Sequence, residues 1–179
     1  MKVLFVCSGN TCRSPLAVAA WRRACGEMPG LEQIEVDSAG ICPEENAPAA
    51  PHSLTIAAQW GQDLSEHRAK MFDATHTHSD LIVTMTRDQA EILRAHFGLD
   101  ENRVRVLGSW VPRRTKREIK AQLQPLWGSD GAKMSSPHDD ILDPHGGSFE
   151  AYADCAAQIE RAVRELAKVL SSSQRLGNG

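Results

Sequence analysis

The chain has 179 residues, a net charge of −3, and 41% hydrophobic against 24% charged residues, the mix of a globular domain large enough to bury a core. That balance offers no field of one sign to nucleic acid or an anionic membrane, and no stretch approaches the roughly 18 uninterrupted apolar residues of a membrane span. Five cysteines at irregular spacing do not form a secreted disulfide framework, and the apolar start, Val3 to Val6, is too short for a signal peptide, so free thiols in a cytoplasmic protein are expected.

In chain order, KVLFV (residues 2–6) predicts a short buried strand. Ser14 before Pro15 predicts a helix start, with a hydroxyl N-cap and proline at the first helical position, and the helix runs from Pro15 to about Glu27. Ile34 to Gly40 reads as a second strand with Ile34 and Val36 on one face. CPEENAPAAPH, with Pro43, Pro48 and Pro51, reads as a surface loop, and Ser53 to Gln62 as a helix with Leu54, Ala57 and Ala58 on one side. Asp80 to Thr86 and Arg103 to Ser109 are the third and fourth strands, with a helix over Arg87 to Phe97 between them. From Ser148, Tyr152, Ala156, Ile159, Val163, Leu166 and Leu170 recur every three or four residues, a long closing helix; residues 171–179 are expected to fray.

Strands alternating with helices predict one α/β domain over 1–179, a four-stranded parallel sheet with helices on both faces, flavodoxin-like or Rossmann-like. Trp110 to Asp140 carries no strand signal and reads as an extended insertion. Ile119, Leu123 and Leu126 form a stripe beside five basic residues between Arg113 and Lys120, read either as a solvated surface helix or as a flap beside an anionic substrate.

The turn after the first strand carries the chemistry. In open α/β sheets ligands bind beyond the carboxyl ends of strands, where helices begin. Inward-facing N–H groups of Ser8, Gly9, Asn10, Thr11, Cys12, Arg13 and Ser14, helped by the helix dipole, suit an anion there. Gly9 permits close backbone approach and Asn10 tolerates left-handed geometry. Arg13 supplies a planar fork matching two oxygens of a phosphate. The same positive surroundings favour the thiolate of Cys7, which makes it a nucleophile under a tetrahedral oxyanion. A thiolate displacing a phosphoryl group needs a general acid, and Asp143 in ILDPHGGS fits, with Pro144 stiffening the loop and Gly146-Gly147 permitting a sharp approach to the helix. Asp139 and Asp140 are nearby rivals that precede no proline.

CSGNTCRSP resembles the C-x-G-N-x-C-R-S-P signature of the low-molecular-weight protein tyrosine phosphatases. VDSAG, Met85-Thr86 and DPHGGSFEAY resemble further landmarks of that family; PLAV at residues 15–18 departs from it, since a Glu commonly follows the Ala. The resemblance implies a cysteine-dependent phosphoprotein phosphatase working through a phosphocysteine, with Cys7, Arg13 and Asp143 catalytic, Ser14 donating to the thiolate, and Asn10, Ser38 and His67 bracing the loop. It implies no cofactor or metal; His76 and His78 are two apart without a clear third ligand and read as an exposed loop. Cys12 is a core residue or a redox partner that forms a reversible disulfide with Cys7. Cys25, Cys42 and Cys155 carry no motif.

Position 11 bears on the substrate. Tyrosine-specific members usually carry Ile or Leu there, whereas bacterial protein arginine phosphatases resemble this chain in carrying Thr. Thr11, His145 where a Tyr is often found, and an aromatic-free loop after Gly40 favour phosphoarginine, with phosphotyrosine as the alternative. More distant alternatives are an arsenate reductase, which lacks its close cysteine pair here, and a non-catalytic oxyanion-binding module. The expected partners are phosphorylated proteins, with phosphate, sulfate or vanadate as competing ligands.

Overall fold

The computed structural model describes residues 1–112 and 139–177, with side chains through residue 172. The basic stretch, with Ile119, Leu123 and Leu126, lies outside the described residues.

Four strands, β1 (Lys2–Cys7), β2 (Glu35–Gly40), β3 (Leu81–Thr84) and β4 (Val104–Val106), form one parallel sheet in the order β2-β1-β3-β4. β1 is central, in register from Lys2↔Glu35 to Cys7↔Gly40 on one side and from Val3↔Leu81 to Val6↔Thr84 on the other. A parallel strand between two neighbours is covered on both faces, so an unbroken apolar run suits it better than alternation.

Strand periodicity divides that run between two cores. Val3, Phe5 and Cys7 join Leu16 and Trp21 of α1 (Arg13–Glu27) and Ile159, Val163 and Leu166 of the closing helix α4 (Phe149–Gly177). Leu4 and Val6 face the other way, toward Ala90 and Leu93 of α3 (Arg87–Phe97). Each such side chain removed from water stabilises the fold by roughly 1.5–3 kcal/mol, and the two layers pin β1 so that its last residue, Cys7, is fixed where the chain turns.

Several boundaries differ from the sequence reading. α1 begins at Arg13, with Cys12 at the N-cap and no side-chain cap; Ser14 is therefore not the cap but lies in the first turn, its hydroxyl engaged elsewhere. Pro15 still costs no hydrogen bond, because the first-turn N–H groups have no partner within the helix. α2 (Pro51–Gln59) starts two residues early, with Pro51 at its first position, so Pro51 and His52 are helical rather than loop. Met85 and Thr86 fall outside β3; Thr86 caps α3 in a capping box with Gln89. The fourth strand stops at Val106 and tightens into a 3-10 turn over Leu107–Trp110, where the Asp139 backbone packs so closely on Gly108 that a Cβ would collide with its carbonyl oxygen. α4 continues to Gly177, through the stretch expected to fray. His76 sits in a 3-10 turn (Ala74–His78) capped by Asp73, its ring stacked on Phe72 at 5.4 Å.

Candidate active site

β1 delivers Cys7 to the carboxyl edge of the sheet, and the turn Ser8 to Cys12 leads directly into α1. Asn10 takes the left-handed conformation, φ 52°, which turns its N–H back to the sulfur: Asn10 N–H donates to Cys7 Sγ at 3.2 Å. Ser14 Oγ lies 3.0 Å from the same sulfur. Cys7 is 2% exposed, so these partners and the N-terminus of α1 make up its polar surroundings.

The loop is held from outside. Fully buried Asn10 donates through Nδ2 to Ser14 Oγ at 2.9 Å and to Ser38 Oγ at 3.0 Å, and its Oδ1 accepts from Lys70 N–H at 3.0 Å. His67 Nε2 donates to the Asn10 carbonyl at 2.6 Å; a carbonyl only accepts, so this nitrogen carries the proton. Burial, the largest cause, lowers the pKa of His67. Ser38 and His67 thus both hydrogen-bond to Asn10, and His67 is half-buried. Gly40, paired with Cys7, admits the loop closely: a Cβ there would come within 2.8 Å of the Ser8 carbonyl and 3.1 Å of Asn10 Cβ.

Arg13 is 3% exposed. Its Nη1 donates to the Ile141 carbonyl at 3.0 Å, and its Nη2 contacts the Asp143 carboxylate and reaches Ser8 Oγ at 3.5 Å. Asp143 comes from the loop before α4, 130 residues away in sequence. Its Oδ1 accepts from His145 N–H at 3.2 Å, and the loop closes through Gly147 N–H to the Pro144 carbonyl at 2.8 Å, with Gly146 at φ 76°. Of the rival carboxylates, Asp140 accepts from Arg87 N–H at 2.9 Å, at the start of α3, and Asp139 is buried against Gly108. Asp143 is the one joined to Arg13.

Thr11 is half-buried; its carbonyl accepts from Ala50 N–H at 2.9 Å and its hydroxyl lies 3.6 Å from Cys12 Sγ. Cys12 is buried and shares a hydrogen bond with Tyr152 Oη at 3.2 Å; burial raises the pKa of both. Cys155, one helical turn beyond Tyr152, is likewise buried, its thiol pushed up to about 12 chiefly by desolvation. Cys42 is exposed and Cys25 half-buried. The His145 side chain is exposed beside Asp143.

Sequence reading missed Gln89, whose Nε2 donates to Ser8 Oγ at 3.0 Å, the Ile141 carbonyl, the Lys70 N–H, and the Tyr152 hydroxyl on Cys12. Thr86-x-x-Gln89 was available as a capping-box signal, but nothing local shows that the amide of Gln89 also reaches across to Ser8.

Residues 2–130 match the family described as low molecular weight phosphotyrosine protein phosphatase; the match stops short of Asp143, whose place in the site rests on its contact with Arg13. A protein-arginine-phosphatase of Bacillus subtilis is 29% identical over 98% of this chain and its own full length. A probable low molecular weight protein-tyrosine-phosphatase, EpsP of Ralstonia solanacearum, is 33% identical over 90% of each chain. A solved structure of the YwlE arginine phosphatase, a cysteine-to-serine variant with a phosphorylated active-site serine, superposes with a TM-score of 0.76 at 29% identity, covering 98% of this chain and 99% of that one. With signature loop, sheet order and overall match in agreement, this chain belongs to the low molecular weight phosphotyrosine protein phosphatase family, enzymes that hydrolyse phosphoproteins.

Proposed function

We propose that Cys7 is the nucleophile, Arg13 and the loop N–H groups the phosphoryl clamp, and Asp143 the general acid and base, of a protein phosphatase that prefers phosphoarginine. The supporting observation is convergence: Asn10 N–H and Ser14 Oγ meet at Cys7 Sγ, while Arg13, at the start of the same helix, touches Asp143. Hydrogen bonds to the sulfur and the N-terminus of α1 surround the nucleophile with donors and the positive end of a helix dipole.

In the first step Cys7 Sγ forms a bond to phosphorus, the bond from phosphorus to the leaving atom breaks, and Asp143 gives that atom a proton. In the second, Asp143 takes a proton from water, the water oxygen bonds to phosphorus, and the sulfur–phosphorus bond breaks to release inorganic phosphate. The Arg13 fork and the loop amides stabilise the charge on the equatorial oxygens in both steps, which is where an enzyme gains most of its rate in phosphoryl transfer. The phosphorylated serine of the YwlE variant supports a phosphoenzyme on the residue matching Cys7.

Phosphoarginine is favoured by the Thr11 hydroxyl beside the loop and by the absence of any aromatic residue from Ile41 to Pro51, and the named arginine phosphatase of B. subtilis is alike along its entire length. The Ralstonia relative supports phosphotyrosine as the second reading. Side-by-side turnover of phosphoarginine and phosphotyrosine peptides decides between them, with Thr11→Ile as a third arm: arginine activity falls and tyrosine activity rises in that variant. Equal wild-type rates on both peptides overturn the preference, and an aryl phosphatase activity that survives Cys7→Ser overturns the mechanism. Inorganic phosphate, sulfate and vanadate compete for the loop. Free thiols throughout the described chain favour a cytoplasmic setting.

A further inference from the structure

Gln89 and Ser8 are bound to each other in a way that fixes where a proton points. The Gln89 side chain, 6% exposed, faces two backbone donors: its Oε1 accepts from Met85 N–H at 3.0 Å and from Thr86 N–H at 3.2 Å. Only the oxygen of an amide can meet two N–H groups, so its orientation is not free and Nε2 must face Ser8, to whose Oγ it donates at 3.0 Å. Ser8 Oγ also accepts from Arg13 Nη2 at 3.5 Å. A hydroxyl has two acceptor lone pairs and one proton. Both acceptor positions are taken by groups that cannot accept, so the proton is turned away from both, and Ser8 is exposed.

We propose that the Ser8 hydroxyl is a side-chain donor to a nonbridging oxygen of the transferring phosphoryl group, and that Gln89 is the positioning residue that aims it. This rests on the phosphatase function proposed above and adds to the backbone clamp a donor whose direction is set by α3. A hydroxyl left to rotate would spend part of its time aimed elsewhere, including at the Asp143 carboxylate that shares Arg13 Nη2 with it.

Three substitutions isolate the effect. Ser8→Ala removes the donor, while Ser8→Thr keeps it. Gln89→Glu keeps an oxygen for the Met85 and Thr86 N–H groups, so α3 stays capped, but replaces the donor facing Ser8 with an acceptor that pulls the hydroxyl proton toward itself. With an aryl phosphate as substrate, Ser8→Ala lowers kcat/KM about ten- to a hundredfold, the size of one hydrogen bond to a charged group. Ser8→Thr restores most of it. Gln89→Glu causes a comparable or larger loss, and part of that loss disappears when it is added to Ser8→Ala, because the hydroxyl it misdirects is already gone and only the repulsion between the new carboxylate and the phosphoryl oxygens remains. Calorimetric titration with inorganic phosphate follows the same order without turnover. Wild-type rates in Ser8→Ala, or losses from the two substitutions that multiply in full, overturn the assignment. A wild type that binds phosphate but hydrolyses nothing overturns the phosphatase function instead, and the dissociation constants still report whether Gln89 aims Ser8.

Discussion

The Asn10 side chain ties the loop to Ser14, Ser38 and Lys70, and replacing it tests whether the cradle is built as described. Asn10→Ala removes the bonds from Nδ2 to Ser14 and Ser38 and the bond from Lys70 N–H to Oδ1. Ser14 Oγ keeps Cys7 Sγ as a neighbour, but Ser38 Oγ and the Lys70 N–H lose partners. Stranding a donor or acceptor away from water costs about 1–2 kcal/mol each. Alanine at φ 52° costs about 1 kcal/mol more, since Asn tolerates the left-handed region better. The expected loss is about 3–5 kcal/mol, a large part of an ordinary domain's stability, and corresponds to a fall in melting temperature of about 10–15 °C for a chain of this length. Asn10→Gly, which loses the same bonds without the backbone strain, melts a few degrees above the alanine variant. Thermal unfolding with and without inorganic phosphate reads both effects: phosphate raises the wild-type midpoint by mass action and leaves the alanine variant nearly unmoved. An Asn10→Ala protein that melts within about 2 °C of wild type and keeps its phosphate-induced shift would refute this account of the loop.

Asp143→Ala lowers turnover about 10²–10⁴-fold while phosphate binding is retained or tightened, because a carboxylate that shares Arg13 is removed; phosphate binding lost along with turnover would show Asp143 to be part of the clamp. Gly40→Ala drives a methyl group against the Ser8 carbonyl and Asn10, so phosphate affinity falls more steeply than melting temperature; unchanged affinity contradicts the close approach. His67 is held neutral by burial, its pKa below the ordinary 6.5, so the unfolded chain binds the extra proton first. The stability this contributes is present above about pH 6.5 and is lost as pH falls through the folded value. Melting curves across that range should show a slope that flattens in His67→Gln, which keeps a donor for the Asn10 carbonyl; an identical slope in the variant places the titration elsewhere.

The parts of the site written in one turn of chain are legible in the sequence. Cys7, Asn10, Arg13 and Ser14 follow a buried strand at spacings that leave little choice of geometry, and the apolar run of β1 announces a strand covered on both faces. A hydroxyl before proline is a common helix start, so Ser14 reads as a cap; that its hydroxyl turns to Cys7 and Asn10 depends on the left-handed backbone at Asn10, which no periodicity encodes. Asp143 is legible through its proline and glycines. The partners that arrive from far along the chain are not: Gln89 lies 81 residues from Ser8, the Ile141 carbonyl 128 from Arg13 and Tyr152 140 from Cys12. Such contacts exist only after the sheet has brought strand ends together. The short fourth strand reads too long because Leu107 is apolar enough to continue it, while the packing of Asp139 on Gly108 that accompanies the turn is a tertiary contact.

The most direct test of the central claim is to capture the covalent intermediate. Asp143→Ala, mixed with a phosphoarginine peptide and quenched at once under conditions that preserve phosphocysteine, should yield a fragment spanning Val3 to Arg13 heavier by one phosphoryl group on Cys7, and the signal should vanish in the Cys7→Ser, Asp143→Ala double variant unless the phosphate is found on the new hydroxyl. Substrate hydrolysis with no phosphate on residue 7, or a phosphoryl group on a different side chain, would contradict it.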